Sequence, residues 1–225
     1  MWVKICGNTN LEDVALAAKL GADAVGFVFA ESKRQVTPLQ VAAITPHLPA
    51  YVERVGVFYS RDPDEIAQTA SQAGLTAVQL HGGLDEDLLE QLARKFAGSV
   101  RIIQTLHWKI DEAGSSAARL IGQIERVAAL GVANRILIDS KVGAAGGGTG
   151  VTFDWSAARN VFASAPSNIH LIVAGGLRPA NVAHAIAELH PWGVDVSSGV
   201  EASPRKKDPA FLAHFIENAR GAQKP

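Results

Sequence analysis

The chain has 225 residues, which suits one α/β barrel domain of roughly 250 residues better than two separate domains, and its 48% hydrophobic content can fill a large core. Charged residues make up 19% and the formal net charge is −1, which argues against a nucleic-acid binder or a polybasic membrane-surface protein. The single cysteine, Cys6, excludes an intramolecular disulfide. Lys4 interrupts the short apolar start, and no run of about 18 apolar residues occurs, so a cytoplasmic protein without a membrane span or signal peptide is expected.

In chain order, a first strand is predicted over Trp2–Cys6 and a helix follows, with Leu11, Val14, Ala15 and Ala18 on one face and Gly21 at its end. Strand Ala24–Phe29 leads into the loop Glu31-Ser32-Lys33-Arg34, and Thr37-Pro38 reads as a cap before a helix. Strand Val52–Phe58 precedes a second such cap, Asp62-Pro63, and a stripe of Ile66, Ala70 and Ala73 that stops at Gly74. Then come strand Ala77–Leu80, a stripe of Leu88, Leu92 and Phe96 closed by Gly98, strand Arg101–Leu106, and a stripe of Ile121, Ile124 and Ala128 closed by Gly131. Strand Arg135–Asp139, the small-residue stretch Gly143–Gly150, strand His170–Ala174, a stripe of Val182, Ile186 and Leu189, and strand Gly193–Val196 complete the pattern. Parallel strands need crossovers, and alternating helices supply them, so eight units without a compositional break predict a single closed (β/α)₈ barrel spanning residues 1–225. A doubly wound open sheet is the rival.

Barrel enzymes place their chemistry at the C-terminal ends of the strands. Polar and glycine residues gather there: Cys6-Gly7, Ser32-Lys33-Arg34, Gln79-Leu80-His81-Gly82, Asp139-Ser140-Lys141, Gly175-Gly176 and Ser197-Ser198-Gly199. The glycines of Gly146–Gly150, Gly175-Gly176 and Ser198-Gly199 follow three neighbouring strands, where bare backbone amides can approach an anion; glycines that simply make turns are the alternative. A lone cysteine is usually a small buried hydrophobe, but at a strand end it can serve as a base or nucleophile if something stabilises the thiolate. Lys4 shares its face of the strand and can pair with an interior carboxylate or act in catalysis. Asp139 ends an apolar strand, where a carboxylate must be solvated, paired or functional. Across the ring from Cys6, it would make an acid–base pair around a small bound sugar. Arg34 is a candidate carboxylate clamp or a solvated surface charge, and His81 a site group or a packed histidine. His47, His107, His184 and His190 read as surface positions.

Taken together and in order, Lys4-Ile5-Cys6-Gly7, Gly21–Phe29, Ser32-Lys33-Arg34, Gln79-Leu80-His81-Gly82, Gly147-Gly148-Thr149-Gly150 with Phe153-Asp154-Trp155, and Val194–Glu201 resemble the phosphoribosylanthranilate isomerase family from residue 2 to about residue 208. The resemblance implies an Amadori rearrangement in tryptophan biosynthesis, from N-(5-phosphoribosyl)anthranilate to 1-(2-carboxyphenylamino)-1-deoxyribulose 5-phosphate. It implies that Asp139 is the general acid, Cys6 the general base and Arg34 the grip on the anthranilate carboxylate. Gly148, Gly175, Gly176, Ser197, Ser198 and Gly199 would cradle the phosphate, with His81 and Asp195 also at the substrate. Such a reaction calls for no cofactor, and no His, Asp and Glu cluster at metal-ligand spacing suggests a metal. The ordinary amphipathicity of the helices favours a monomer with a small phosphorylated sugar as its partner. Rival readings are another phosphosugar isomerase or epimerase, a lyase using Lys4 as a Schiff-base nucleophile, and a non-catalytic phosphoribosyl-binding protein.

Overall fold

The computed structural model describes residues 1–109, 115–141 and 155–222. Gly148 and the rest of the Val142–Gly148 stretch, together with Phe153 and Asp154, lie outside them.

The strands β1 (Trp2–Ile5), β2 (Ala24–Val28), β3 (Glu53–Phe58), β4 (Ala77–Leu80), β5 (Arg101–Lys109), β6 (Arg135–Lys141), β7 (His170–Ala174) and β8 (Gly193–Val196) pair in sequence order and close into one parallel barrel. The seam runs from β8 to β1, with Lys4 opposite Asp195. The expected barrel is therefore the observed fold. β6 stands three places from β1 around the ring, one short of the diametric position that the sequence reading assumed; β5 occupies that position. β5 and β6 also continue past their expected ends, pairing His107 with Asp139, Trp108 with Ser140 and Lys109 with Lys141.

Outside the barrel, α1 (Leu11–Lys19), α2 (Pro38–Ala42), α3 (Pro63–Gln72), α4 (Glu86–Phe96), α5 (Ser115–Leu130), α6 (Trp155–Ala163), α7 (Val182–Leu189) and α8 (Pro209–Gly221) return the chain. Thr37 caps α2 in a reciprocal capping box with Gln40, and Asp62 caps α3, so two backbone amides at each start find side-chain acceptors. The inner face of α1 is Val14, Ala17 and Ala18; Leu11 and Ala15, expected on that face, are exposed. No helix among the described residues is long and apolar enough to cross a membrane.

The two-residue period of a strand sorts β1 into two sets. Val3 and Ile5 point outward into the core shared with the helices, while Trp2 joins Ala24, Val55, Ala77, Ile103, Leu137 and Ile172 in an apolar layer inside the barrel. One step up the same strands, the interior layer turns polar. Lys4 Nζ donates to Gln79 Oε1 at 2.8 Å and to Asp195 Oδ1 at 3.0 Å, and Gln79 Nε2 donates to Thr105 Oγ1 at 3.1 Å. The apolar layer thus plugs the barrel and forms the floor beneath a buried polar network. Lys4 is fully buried, and removing its charge would strand Asp195 without its counter-ion. Lys4→Met is therefore expected to destabilise the fold by about 3–5 kcal/mol, read as a shift of the urea midpoint at unchanged slope.

Candidate active site

Cys6 follows β1 directly, on the inward parity of Lys4, and is buried. Its neighbour across the sheet is a glycine for steric reasons: a Cβ on Gly26 would stand 2.7 Å from Cys6 Sγ and 2.9 Å from Lys4 Cε. Gly7, with φ of +74°, is crossed closely by two other expected site residues. A Cβ there would meet Arg34 Cδ at 2.5 Å and Ser197 Oγ at 2.7 Å. The structure thus packs Cys6, Arg34 and Ser197, from the ends of β1, β2 and β8, around one turn.

Arg34 is held by a residue that the sequence reading did not single out. Glu201 takes its Nε and Nη2 in a two-pronged pair at 2.7 and 2.6 Å. Glu201 starts a short hairpin, β9 (Glu201–Ser203) and β10 (Lys206–Lys207). The last residue of that hairpin, Lys207, is buried, and its Nζ donates to Cys6 O at 2.6 Å, to Ser197 O at 3.1 Å and to Glu201 Oε1 at 3.3 Å. Asp13 of α1 accepts the Lys207 backbone amide at 2.9 Å and anchors the hairpin. Lys207 closes the basic run Arg205-Lys206-Lys207, and its pairing with Glu201 goes with burial of this last member while Lys206 stays exposed.

Asp139 and His81 come together on the other side of the mouth, with His81 Nε2 3.5 Å from Asp139 Oδ2. His107, expected at the surface, is instead a third member of this group. It stands on the extended part of β5, donates from Nε2 to His81 O at 3.0 Å and packs edge-on against the His81 ring at 4.9 Å. Tyr59 covers another side of that ring at 4.9 Å. Gln79 Nε2 lies 3.4 Å from His81 Nδ1, so the polar layer that begins at Asp195 and Lys4 runs through Gln79 and His81 to Asp139. Among the described residues, His81, His107 and Asp139 are the one group whose ligand atoms, within 4.8 Å of one another, are spaced for a metal ion.

The late loops adopt the conformations that their glycines allow. Gly175 and Gly176 have φ of +91° and +64°, and Asn181 ties the loop by donating to Gly176 O at 3.1 Å while accepting from the Arg178 amide at 2.8 Å. Gly199 lies so close to the chain after β7 that a Cβ would fall 1.8 Å from Leu177 O. Its bare backbone is thus a packing requirement that locks the β7 and β8 loops together. Ser198 is exposed beside it, while Asp195 sits below, paired with Lys4.

Charge is unevenly settled in this cup. Burial pushes the Cys6 thiol above the ordinary thiol range; the Lys4 and Lys207 ammoniums pull against that, and the Asp195 carboxylate adds to it. Burial alone would lower Lys4, but Asp195 and Cys6 reverse the sign and hold it above its usual value. Lys207 is brought below the lysine range by burial, which Glu201 only partly offsets. For Glu201, burial is outweighed by Arg34 and Lys207, and its carboxyl stays below the usual range.

Residues 3–218 match the family model described as N-(5′-phosphoribosyl)anthranilate (PRA) isomerase. The chain belongs to the N-(5′-phosphoribosyl)anthranilate isomerase family. It is 44% identical to the N-(5′-phosphoribosyl)anthranilate isomerase of Thermotoga petrophila over 97% of this chain and 98% of that one. The crystal structure of the Thermotoga maritima phosphoribosyl anthranilate isomerase superposes with a TM-score of 0.84 at 39% identity, covering 98% of this chain and 99% of that one. A further phosphoribosyl anthranilate isomerase, solved in complex with reduced 1-(o-carboxyphenylamino)-1-deoxyribulose 5-phosphate, has a TM-score of 0.81 at 37% identity, covering 98% and 99%. This member is accordingly an enzyme, an isomerase that carries out the Amadori rearrangement of tryptophan biosynthesis.

Proposed function

We propose that this isomerase acts on N-(5-phosphoribosyl)anthranilate with Asp139 as general acid and Cys6 as general base, Arg34 holding the substrate carboxylate and the loops of Gly148, Gly175, Gly176, Ser197, Ser198 and Gly199 holding its phosphate. The observation that carries this reading is the polar layer that starts beside Cys6 at Lys4 and ends at Asp139, with Arg34 and Ser197 packed at the Cys6 end. Asp139 gives its proton to the ribose ring oxygen. The C1′–O bond breaks as the anthranilate nitrogen lone pair forms the C1′=N bond of an iminium. The Cys6 thiolate then takes the C2′ proton. The C–H electrons become the C1′=C2′ double bond, the iminium π pair returns to nitrogen, and the enolamine tautomerises to the ketone. Atoms and charge balance without an outside oxidant or reductant. His81 and Asp195 serve the substrate through the same layer rather than as carriers of the migrating proton. We place the working enzyme in the cytoplasm as a monomer, as its single cysteine and ordinarily amphipathic helices suggest.

Glu201 takes one hydrogen each from Nε and Nη2 of Arg34, which leaves the second Nη2 hydrogen and the two on Nη1 to meet an incoming carboxylate. Glu201→Gln removes one charge from a charge-assisted pair worth about 1.5–3 kcal/mol, so a KM increase of roughly tenfold or more is expected with a smaller change in kcat. Steady-state kinetics read the split; an unchanged KM would detach Glu201 from substrate binding. The function itself is tested by mixing the purified protein with freshly made phosphoribosylanthranilate. Loss of substrate fluorescence with formation of the ketose supports it, and persistence of the substrate rejects it.

A further inference from the structure

Gln79 has no role in the chemistry so far, yet it sits midway along the polar layer with every amide atom engaged. Its Oε1 faces the Lys4 ammonium at 2.8 Å, and an ammonium can only donate. That contact fixes which end of the amide is oxygen, because the flipped amide would press two donors together. Nε2 therefore points its hydrogens at Thr105 Oγ1 and at His81 Nδ1, 3.1 and 3.4 Å away. A ring nitrogen facing an amide N–H must present its lone pair. The remaining imidazole proton then lies on Nε2, the atom turned toward Asp139 Oδ2.

We propose that Gln79, oriented by Lys4, is a positioning residue that holds His81 as the neutral Nε2–H tautomer, so that this ring offers Asp139 a neutral N–H rather than an imidazolium. The proposal rests on the reading of Asp139 as the acid. An imidazolium at this distance would hold Asp139 as a carboxylate in an ion pair, with no proton to give. A neutral N–H leaves the acid free to protonate the substrate and steadies the carboxylate that results. Among the described groups around the ring, His107 donates its own Nε2–H to the His81 carbonyl, Tyr59 packs on the ring, and Lys4, paired with Asp195, lies behind Gln79. The same tautomer argues against a metal at His81, His107 and Asp139. A ring that ligates through Nε2 carries its proton on Nδ1 and needs an acceptor there, where Gln79 presents hydrogens.

The test is the ring itself. In a long-range ¹H–¹⁵N NMR spectrum of the intact enzyme at pH 7, His81 is expected to show a protonated Nε2 and an unprotonated Nδ1. A ring protonated on Nδ1, alone or together with Nε2, overturns the proposal, and this measurement needs no variant. Gln79→Glu replaces the donor with an acceptor. It is expected to raise the midpoint of the ring's titration by about one pH unit or more, a tenfold change in protonation, and to lower kcat about tenfold while KM changes less than about threefold. A folded Gln79→Glu enzyme with unaltered ring titration or unaltered kcat removes Gln79 from this role. If Asp139→Asn keeps its turnover, the acid has been misassigned, while the wild-type ring spectrum still decides the tautomer.

Discussion

Asp139→Asn is expected to lower kcat by about a hundredfold to ten-thousandfold while leaving KM within a few-fold of its starting value. The substitution keeps the size and shape of the side chain. Its carbonyl oxygen can still accept from His81 Nε2, the contact seen at 3.5 Å. What the amide lacks is a proton that it can transfer. Ring opening must then proceed with the ribose oxygen leaving as an alkoxide or protonated by water. On the proposed assignment the substrate carboxylate is held by Arg34, after β2, and the phosphate by glycine loops, so the change removes a proton donor rather than an anion grip. Single-turnover measurement with saturating substrate separates the chemical step from release. Turnover within tenfold of the parent would move the acid to another residue.

Cys6→Ala is expected to produce a loss of the same order, again in kcat, because on the proposed assignment C2′ deprotonation loses its base. The expected site of that base is already crowded: Gly26 exists to make room for the sulfur, and alanine leaves the Lys4 and Asp195 pair in place. The thiol should also reveal its surroundings. Burial raises its pKa against the pull of Lys4 and Lys207, so the thiolate forms at higher pH than in a free thiol. Because the chain has a single cysteine, the absorbance of the thiolate near 240 nm, taken as a difference from the Cys6→Ala protein, titrates this group alone. Its midpoint is expected above the ordinary value of about 8.5. A midpoint below that of a free thiol would mean that the two ammoniums outweigh burial.

Much of the fold could be read from local pattern. Strands β4, β7 and β8 begin and end where β-branched runs meet polar or glycine residues, and the caps Thr37 and Asp62 stand where Ser, Thr or Asp precedes proline. The limits of local reading show at α1. Its small residues support more than one face, and packing against the barrel selects Val14, Ala17 and Ala18 over Leu11 and Ala15. His107 was missed for a related reason. Past Leu106 the apolar run ends, and only pairing of β5 with an equally prolonged β6 keeps the chain extended and carries the imidazole to the mouth. Gln79 did leave a trace, as a polar side chain at an inward position of an otherwise apolar strand, Ala77-Val78-Gln79-Leu80.

By itself, then, the order of residues determined the alternation of strand and helix and which strand end bears the thiol, the guanidinium, the carboxyl and the glycine loops, because each of these depends on neighbours within a few positions along the chain. Partnership was decided in three dimensions. Lys4 with Asp195, Gln79 with His81, Arg34 with Glu201, and Lys207 under the backbone of Cys6 join groups far apart in sequence. A buried charge or amide has no tolerable position until an opposite group is brought to it, and only closing the ring of strands and docking the hairpin after β8 does so.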